Sequence, residues 1–200
     1  MSTTINKPRQ HGFSLLELMI TLTVAAILLV IAVPSFRDVI HRNQVSSVSN
    51  EMLASLAYAR TEAITRGQLV SMCPSENGTS CTSGGQAFGS GWLVYSYPAG
   101  VVSANKPYDS TKSILLRATT MRTGVSVQSR SAEIVTFGQQ GQLKSATTSP
   151  TLTFLACYSD STSSGNSTST TAVPGVELDV NGSGSVQTRT LTDGGSCTLG

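Results

Sequence analysis

Apolar and polar positions change rhythm three times along the chain. From Phe13 to Val33 the run is almost unbroken, with only Ser14, Glu17, Thr21 and Thr23 polar among 21 residues. A helix that spans a membrane needs about 20 such residues. Pro34 closes the run, and a proline inside a helix removes a hydrogen bond and kinks it. Beyond it, Val45, Val48, Met52, Leu56, Ala59 and Ala63 recur at steps of three and four, the mark of one buried helix face. Arg42, Asn50, Arg60 and Glu62 fall largely between them, Glu62 and Arg66 stand four apart in the favourable order, and Gly67 has the place of a C-cap. The pattern predicts one long helix from about Ser14 to Arg66.

After Gly67 the rhythm becomes short and β-branched, rich in Ser, Thr and Gly. It predicts strands at 69–73, 92–97, 113–118, 125–129, 133–137, 151–157, 176–180 and 185–190, with turn chemistry at Gly138-Gln139-Gln140-Gly141 and Asn181-Gly182. The expected class is α+β, a long helix packed on an antiparallel β head. About 130 residues follow Gly67, enough for one core, so no second globular domain is expected. No internal repeat is visible. The division expected is a leader over 1–12, a hydrophobic helix over 13–40 and a head over 41–200.

Charge adds direction. Lys7 and Arg9 precede the apolar run with no acid beside them, an excess that holds the leader on the cytoplasmic side and exports the rest of the chain. Glu17 is the anomaly. A charge near the bilayer centre costs about 2.5–3.5 kcal/mol on insertion scales, so it calls for a partner or a function. A cleavable secretory signal is the simpler alternative, with Val30-Ile31-Ala32 as its small-residue site, but its apolar region is typically about 7–15 residues without an acid. A plain anchor leaves both Glu17 and the Gly12-Phe13 junction without a role.

The segment Gly12-Phe13-Ser14-Leu15-Leu16-Glu17 resembles the type III signal of type IV prepilins and type II secretion pseudopilins. The resemblance implies cleavage between Gly12 and Phe13 by prepilin peptidase and N-methylation of the new terminal Phe13. It also implies that Glu17 pairs with the N-terminal amine of a neighbouring subunit, which would resolve the buried charge. The protein would then sit in the inner membrane as a single-pass chain with its head in the periplasm, before extraction into a filament.

Four cysteines, Cys73, Cys81, Cys157 and Cys197, follow the apolar run. An even number in an exported chain argues for disulfides, and three connectivities are possible. The local pair Cys73–Cys81 encloses an easily closed, turn-rich loop, which leaves Cys157–Cys197 to staple the C-terminal tail to a strand. Closing that longer loop is worth on the order of 4 kcal/mol in the chain-entropy model. A zinc site is the rival, but no cysteine pair has CxxC spacing and no histidine lies nearby.

A finer resemblance lies in Tyr58-Ala59-Arg60-Thr61-Glu62-Ala63-Ile64-Thr65-Arg66-Gly67, followed by Val70, Cys73, Cys81, Gly91-Trp92-Leu93-Val94-Tyr95 and Phe137-Gly138. These residues resemble the GspH/FimT/FimU family of minor pilins and pseudopilins, and with the signal the likeness covers most of the chain. It implies a subunit that primes filament assembly at a type IV pilus tip, for twitching and adhesion, in contact with other minor pilins and the major pilin through the N-terminal helix. The same family supplies type II secretion pseudopilins and DNA-binding pilins of natural transformation.

DNA uptake would need clustered positive charge. Of 13 Lys and Arg, two lie in the leader, leaving 11 against 11 acids, a net charge of zero. Lys106, Lys112, Arg117, Arg122 and Arg130 would have to converge on one face. DNA-binding relatives resemble one another in a Gly-Arg-x-Arg element; here Gly184-Ser185-Val186-Gln187 stands in its place, with Arg189 the one arginine nearby. No enzyme is expected: His11 goes with the leader, His41 sits on the long helix, and the glycine-rich stretches lack the Lys-Ser/Thr of a phosphate cradle. Neither a cofactor nor a metal is expected. The sequons at Asn77 and Asn166 carry no weight in a chain with this signal, and the tract Ser159–Thr171 reads as a long flexible surface loop.

Overall fold

The computed structural model describes residues 12–84, 86–101, 103–120, 124–130, 134–144, 151–159 and 167–197. Helix α1 spans Leu15–Arg66 and runs without a break through Pro34. Eight strands follow: β1 Val70–Pro74, β2 Gly91–Ser96, β3 Ile114–Thr120, β4 Val125–Ser129, β5 Val135–Phe137, β6 Thr151–Tyr158, β7 Val176–Asn181 and β8 Val186–Thr190. Each expected strand is present, with ends moved by at most two residues; position 133, expected to open the fifth, lies outside the described residues. The chain forms two compact units that divide after Asp38.

In the first unit the apolar side chains of α1, from Leu15 to Val33, are exposed. In the second, the periodic face is buried as its spacing requires: Met52, Leu56, Ala59 and Ala63 have no exposed surface, and Val45 and Val48 almost none. The helix stops at a glycine in the left-handed region, Gly67 at φ 60°. There Gln68 N–H donates to Ala63 O and Gly67 N–H to Ile64 O, which satisfies carbonyls the helix would otherwise leave bare.

The head has two antiparallel sheets. Sheet A has the order β3-β2-β1-β5 and sheet B the order β4-β6-β7-β8. Both pack on α1 in one core, where Met72, Trp92, Val94 and Phe137 of sheet A meet Phe154, Leu178 and Val180 of sheet B. Strands β1 and β2 are buried on both faces, because Leu69, Cys73, Leu93, Tyr95 and Tyr97 point away from α1 into a second cluster closed by Val101, Ala104 and Tyr108. Strand β4 instead alternates buried and half-buried positions, as a one-sided strand does.

Polar clamps lock the helix to the sheets. Arg42 donates to Ala172 O at 2.7 and 3.2 Å, and His41 stacks on Tyr158 at 3.8 Å. Near the other end, Arg60 donates to Gly141 O and to Ser183 O, each at 3.1 Å. It thereby joins the turn after β5 to the β7–β8 turn. These turns touch so closely that a Cβ on Gly184 would lie 1.9 Å from Gly141 O, and Gly184 itself sits at φ 79°. Only glycine fits there without strain.

The tract 159–171 departs from the surface loop expected. Residues 160–166 lie outside the described residues, but Ser167 and Ser169 are buried. Thr168 bridges Ser196, and Cys197 N–H donates to Ser167 O. The reason is the C-terminal tail, whose backbone needs partners and finds them in this segment.

Truncating Leu56, which fills the centre of the core, is expected to cost about 2–5 kcal/mol of head stability. Denaturant unfolding of Leu56→Ala beside the parent checks this; a midpoint within error of the parent would show that α1 is not part of that core.

Candidate functional site

Polar groups on the apolar part of α1 are nearly all satisfied by the helix itself. Ser14 precedes the first turn, and its hydroxyl accepts the Glu17 N–H at 3.2 Å as an N-cap does. Thr21 donates to Leu18 O and Thr23 to Ile20 O, at 2.9 and 2.8 Å. Glu17 differs: its carboxylate has no side-chain hydrogen bond or ion pair among the described residues, while its apolar neighbours stand exposed. The N-terminal end of a helix favours an anion there, yet a carboxylate taken out of water needs a cation. Gly12 has open space where a side chain would stand, and Phe13 is 80 % exposed, so the junction between them is accessible.

Disulfides join Cys73 to Cys81 and Cys157 to Cys197. The short loop is organised by Asn77, whose Oδ1 accepts the Thr79 and Ser80 N–H groups, both at 2.9 Å. The second bridge lies under Gly175, where a Cβ would meet Cys157 Sγ at 2.5 Å.

The basic residues do not gather on one face. Lys106 and Lys112 line a cavity on the side of sheet A away from α1, and Arg117 lies in β3. Arg130 and Arg189 line a cleft on sheet B, which also holds Glu177 and Asp179; Arg122 lies outside the described residues. Arg189 donates from Nη2 to Glu177 Oε1 at 2.7 Å, with Asp179 Oδ2 at 4.0 Å from its Nε. The hydrogen bond and charge of Glu177, then the charge of Asp179, raise the Arg189 pKa above its ordinary value. Arg189 is therefore balanced by its own sheet.

The segment 105–113 over sheet A was not marked by any sequence pattern. Its signal was Tyr95 and Tyr97, two tyrosines at strand spacing whose hydroxyls need partners when buried. Both donate to Lys106 O, at 2.6 and 2.7 Å, and Tyr97 Oη accepts the Lys106 N–H at 2.8 Å. Burial first, and then the neighbouring Tyr97, hold the Tyr95 phenol well above its usual range, so it stays a donor. Asp109 shapes the following turn, its Oδ1 accepting Thr111 Oγ1 and N–H at 2.6 and 2.9 Å. Those bonds, the hydroxyl's before the amide's, lower its pKa.

A carboxyl with a lowered folded pKa favours the native turn above the ordinary aspartate value of about 3.9, and loses that effect as pH falls through the lower, folded value. The Thr111 amide resonance is expected to titrate with a midpoint below that of an unstructured aspartate and to stop doing so in Asp109→Asn. A midpoint at or above the ordinary value would remove the turn from the charge's effects.

Residues 48–184 match the family model described as type II transport protein GspH, and residues 7–33 match the prokaryotic N-terminal methylation motif. The motif overlaps α1, which is long and apolar enough to cross a membrane. A type IV major alpha-pilin of Moraxella bovis is 44% identical over 45 residues, which are 22% of this chain and 28% of that relative. Two crystal structures of the Pseudomonas aeruginosa type IV minor pilin FimU share the fold. One covers 76% of this chain and 98% of FimU at 22% identity and a TM-score of 0.50. The other covers 78% and 96% at 21% identity and a TM-score of 0.52.

Proposed function

The chain belongs to the GspH family, whose members are structural pilin subunits and not enzymes, and we propose that this minor pilin or pseudopilin primes type IV pilus assembly from the tip. The observation that carries the proposal is Glu17, whose carboxylate has no partner among the described residues and stands among exposed apolar side chains on a helix that matches the methylation motif. In this reading the leader 1–12 is removed between Gly12 and Phe13, and Phe13 becomes the methylated N-terminus. Residues 13–40 cross the inner membrane, and 41–200 form the periplasmic head. On assembly Glu17 meets the terminal amine of a neighbour, so charge neutralisation and docking are one event. The minor pilin FimU and the Moraxella pilin, both named as type IV pilus proteins, favour a pilus.

The family description, a type II transport protein, favours the second reading: the same assembly chemistry in a secretion pseudopilus. Both readings place Glu17 in the same role. Pull-down of partner pilins from the native membrane separates them, because pilus subunits and secretion subunits are different proteins. In a deletion strain the pilus reading expects fewer surface pili and lost twitching; normal piliation and motility overturn it.

Glu17→Ala is expected to leave leader cleavage intact and to reduce incorporation into filaments by an order of magnitude or more, consistent with the several kcal/mol at stake when a buried ion loses its partner. Immunoblots of sheared filaments and of membranes read both steps; normal incorporation would end the pairing role.

DNA capture is the weakest reading, since Arg189 is engaged by Glu177, and Lys106 and Lys112 lie on the sheet A side while Arg130 lies on sheet B. The detergent-solubilised chain is expected not to retard duplex DNA even at low salt, where phosphate contacts are strongest. Retardation lost in Arg189→Ala would reverse that assignment.

A further inference from the structure

On the face of sheet A turned away from α1, the structure holds a cavity of about 690 Å³, a size typical of small-ligand sites. Neither the core nor the assembly chemistry of Glu17 uses it. Its walls are rings, from Tyr97, Pro98, Pro107 and Tyr108, and its charges are Lys106 and Lys112 against the single carboxylate of Asp109. Lys112 Nζ stands 3.4 Å from Asp109 Oδ2 on an exposed surface, while Lys106 forms no ion pair among the described residues. One ammonium is left over.

The segment that carries these lysines is held in place before any ligand arrives. Tyr95 and Tyr97 fix the backbone at Lys106 through three hydrogen bonds. Tyr108 N–H donates to the disulfide-bonded Cys81 Sγ at 3.1 Å, and Ser113 N–H donates to Asp109 O at 2.8 Å. A preorganised loop loses little entropy on binding, so modest contacts can hold a ligand. The Cys73–Cys81 loop adds the hydroxyls of Thr79 and Ser80 to the lining, and Ser110 and Ser113 complete a polar side.

The chemistry selects the ligand. A wholly apolar molecule would cover the Lys106 ammonium, which has no ion pair among the described residues, without giving it a partner, which is costly. A nucleic acid strand needs a longer track of cations than two. A carboxylated sugar satisfies all three features: its C–H face lies against flat rings, its hydroxyls pair with Ser and Thr, and its carboxylate takes charge-assisted hydrogen bonds from lysine.

We infer that this cavity binds a carboxylated sugar unit of an acidic saccharide, with its ring against the half-buried Tyr108 and its carboxylate on Lys106 and Lys112. The inference is independent of whether the protein serves a pilus or a secretion machine. Met72, Trp92 and Val94 face α1, whereas Cys73, Tyr95 and Tyr97 face the cavity side.

The test uses the full chain in detergent micelles, read by saturation-transfer NMR and isothermal titration. The probes are trigalacturonic acid, sialyllactose, neutral galactotriose and tetraglutamate. At least one acidic saccharide is expected to bind at millimolar concentration or below, the neutral sugar and the acidic peptide distinctly more weakly. Binding of the uronate alone identifies a polyuronate source, binding of the sialyl sugar alone a sialylated glycan, and binding of both the shared carboxylate chemistry.

Lys106→Gln combined with Lys112→Gln is expected to weaken binding about tenfold or more, equal to about 1.4 kcal/mol, with an unchanged melting temperature, and Tyr108→Ala, which also opens the second cluster, to weaken it too. If Tyr108→Ala proves unstable, the lysine pair, whose ammonium groups form no ion pair among the described residues beyond the exposed Lys112–Asp109 pair, decides the question alone. No binding by either acidic saccharide overturns the inference. So does equal binding of the neutral sugar or of tetraglutamate, or a double lysine variant that binds as the parent does.

Discussion

One helix is asked to satisfy two solvents, and the rest of the structure follows from that constraint. Over Phe13–Val33 α1 offers apolar side chains all round, and these are exposed; from Val45 onward it offers a single stripe that is buried to the last ångström squared at Met52, Leu56, Ala59 and Ala63. The first pattern is stable only in lipid or against other such helices. The second is stable only under sheets. Because both lie on one continuous helix, the head completes its core on the second part of α1 alone. Two small sheets do so by sharing α1 as their common floor.

A large share of this was legible in residue order. Helical spacing gave the buried face of α1 position by position, and strand rhythm gave the eight strands, because both depend on neighbours three, four or two residues away. What stayed hidden depends on distant residues. Nothing local says that β4 leaves β3 to pair with β6, or that Ser55 is fully buried within an apolar face. The doubly buried strands β1 and β2 show the same limit: their outer face is closed by Val101, Ala104 and Tyr108, from a stretch whose sequence carries no strand or helix signal.

At the sites the division is similar. Gly12, Phe13 and Glu17 stand out in sequence because a charge within an apolar run is a local anomaly, and the structure adds that the threonines nearby are self-satisfied while Glu17 is not. Arg189 shows the opposite case. In sequence it is an arginine near a glycine-rich turn, free to contact a phosphate. In space Glu177, directly opposite it in the β7–β8 register, already neutralises it. Three cations among the described residues are neutralised close to home in this way, Arg66 by Glu62 within α1, Lys112 by Asp109 within a turn and Arg189 within sheet B.

That pairing bears on how a subunit of this kind can be specific. The assembly contact proposed for it, an apolar helix with one carboxylate, is chemically generic and would suit many similar neighbours, so in that reading discrimination has to reside in the head. There the framework is heavily constrained: Arg60 and Arg42 tie α1 to the turns and to sheet B, Gly184 has room for no side chain, and the two disulfides close the strand ends. Variation is cheapest where the framework does not depend on the side chain, as at Lys106 and Lys112, whose loop is held by backbone groups and by Tyr95 and Tyr97. Sheet A can therefore exchange the chemistry of its outer cavity without disturbing the core beneath it, which separates what the head recognises from how the chain assembles.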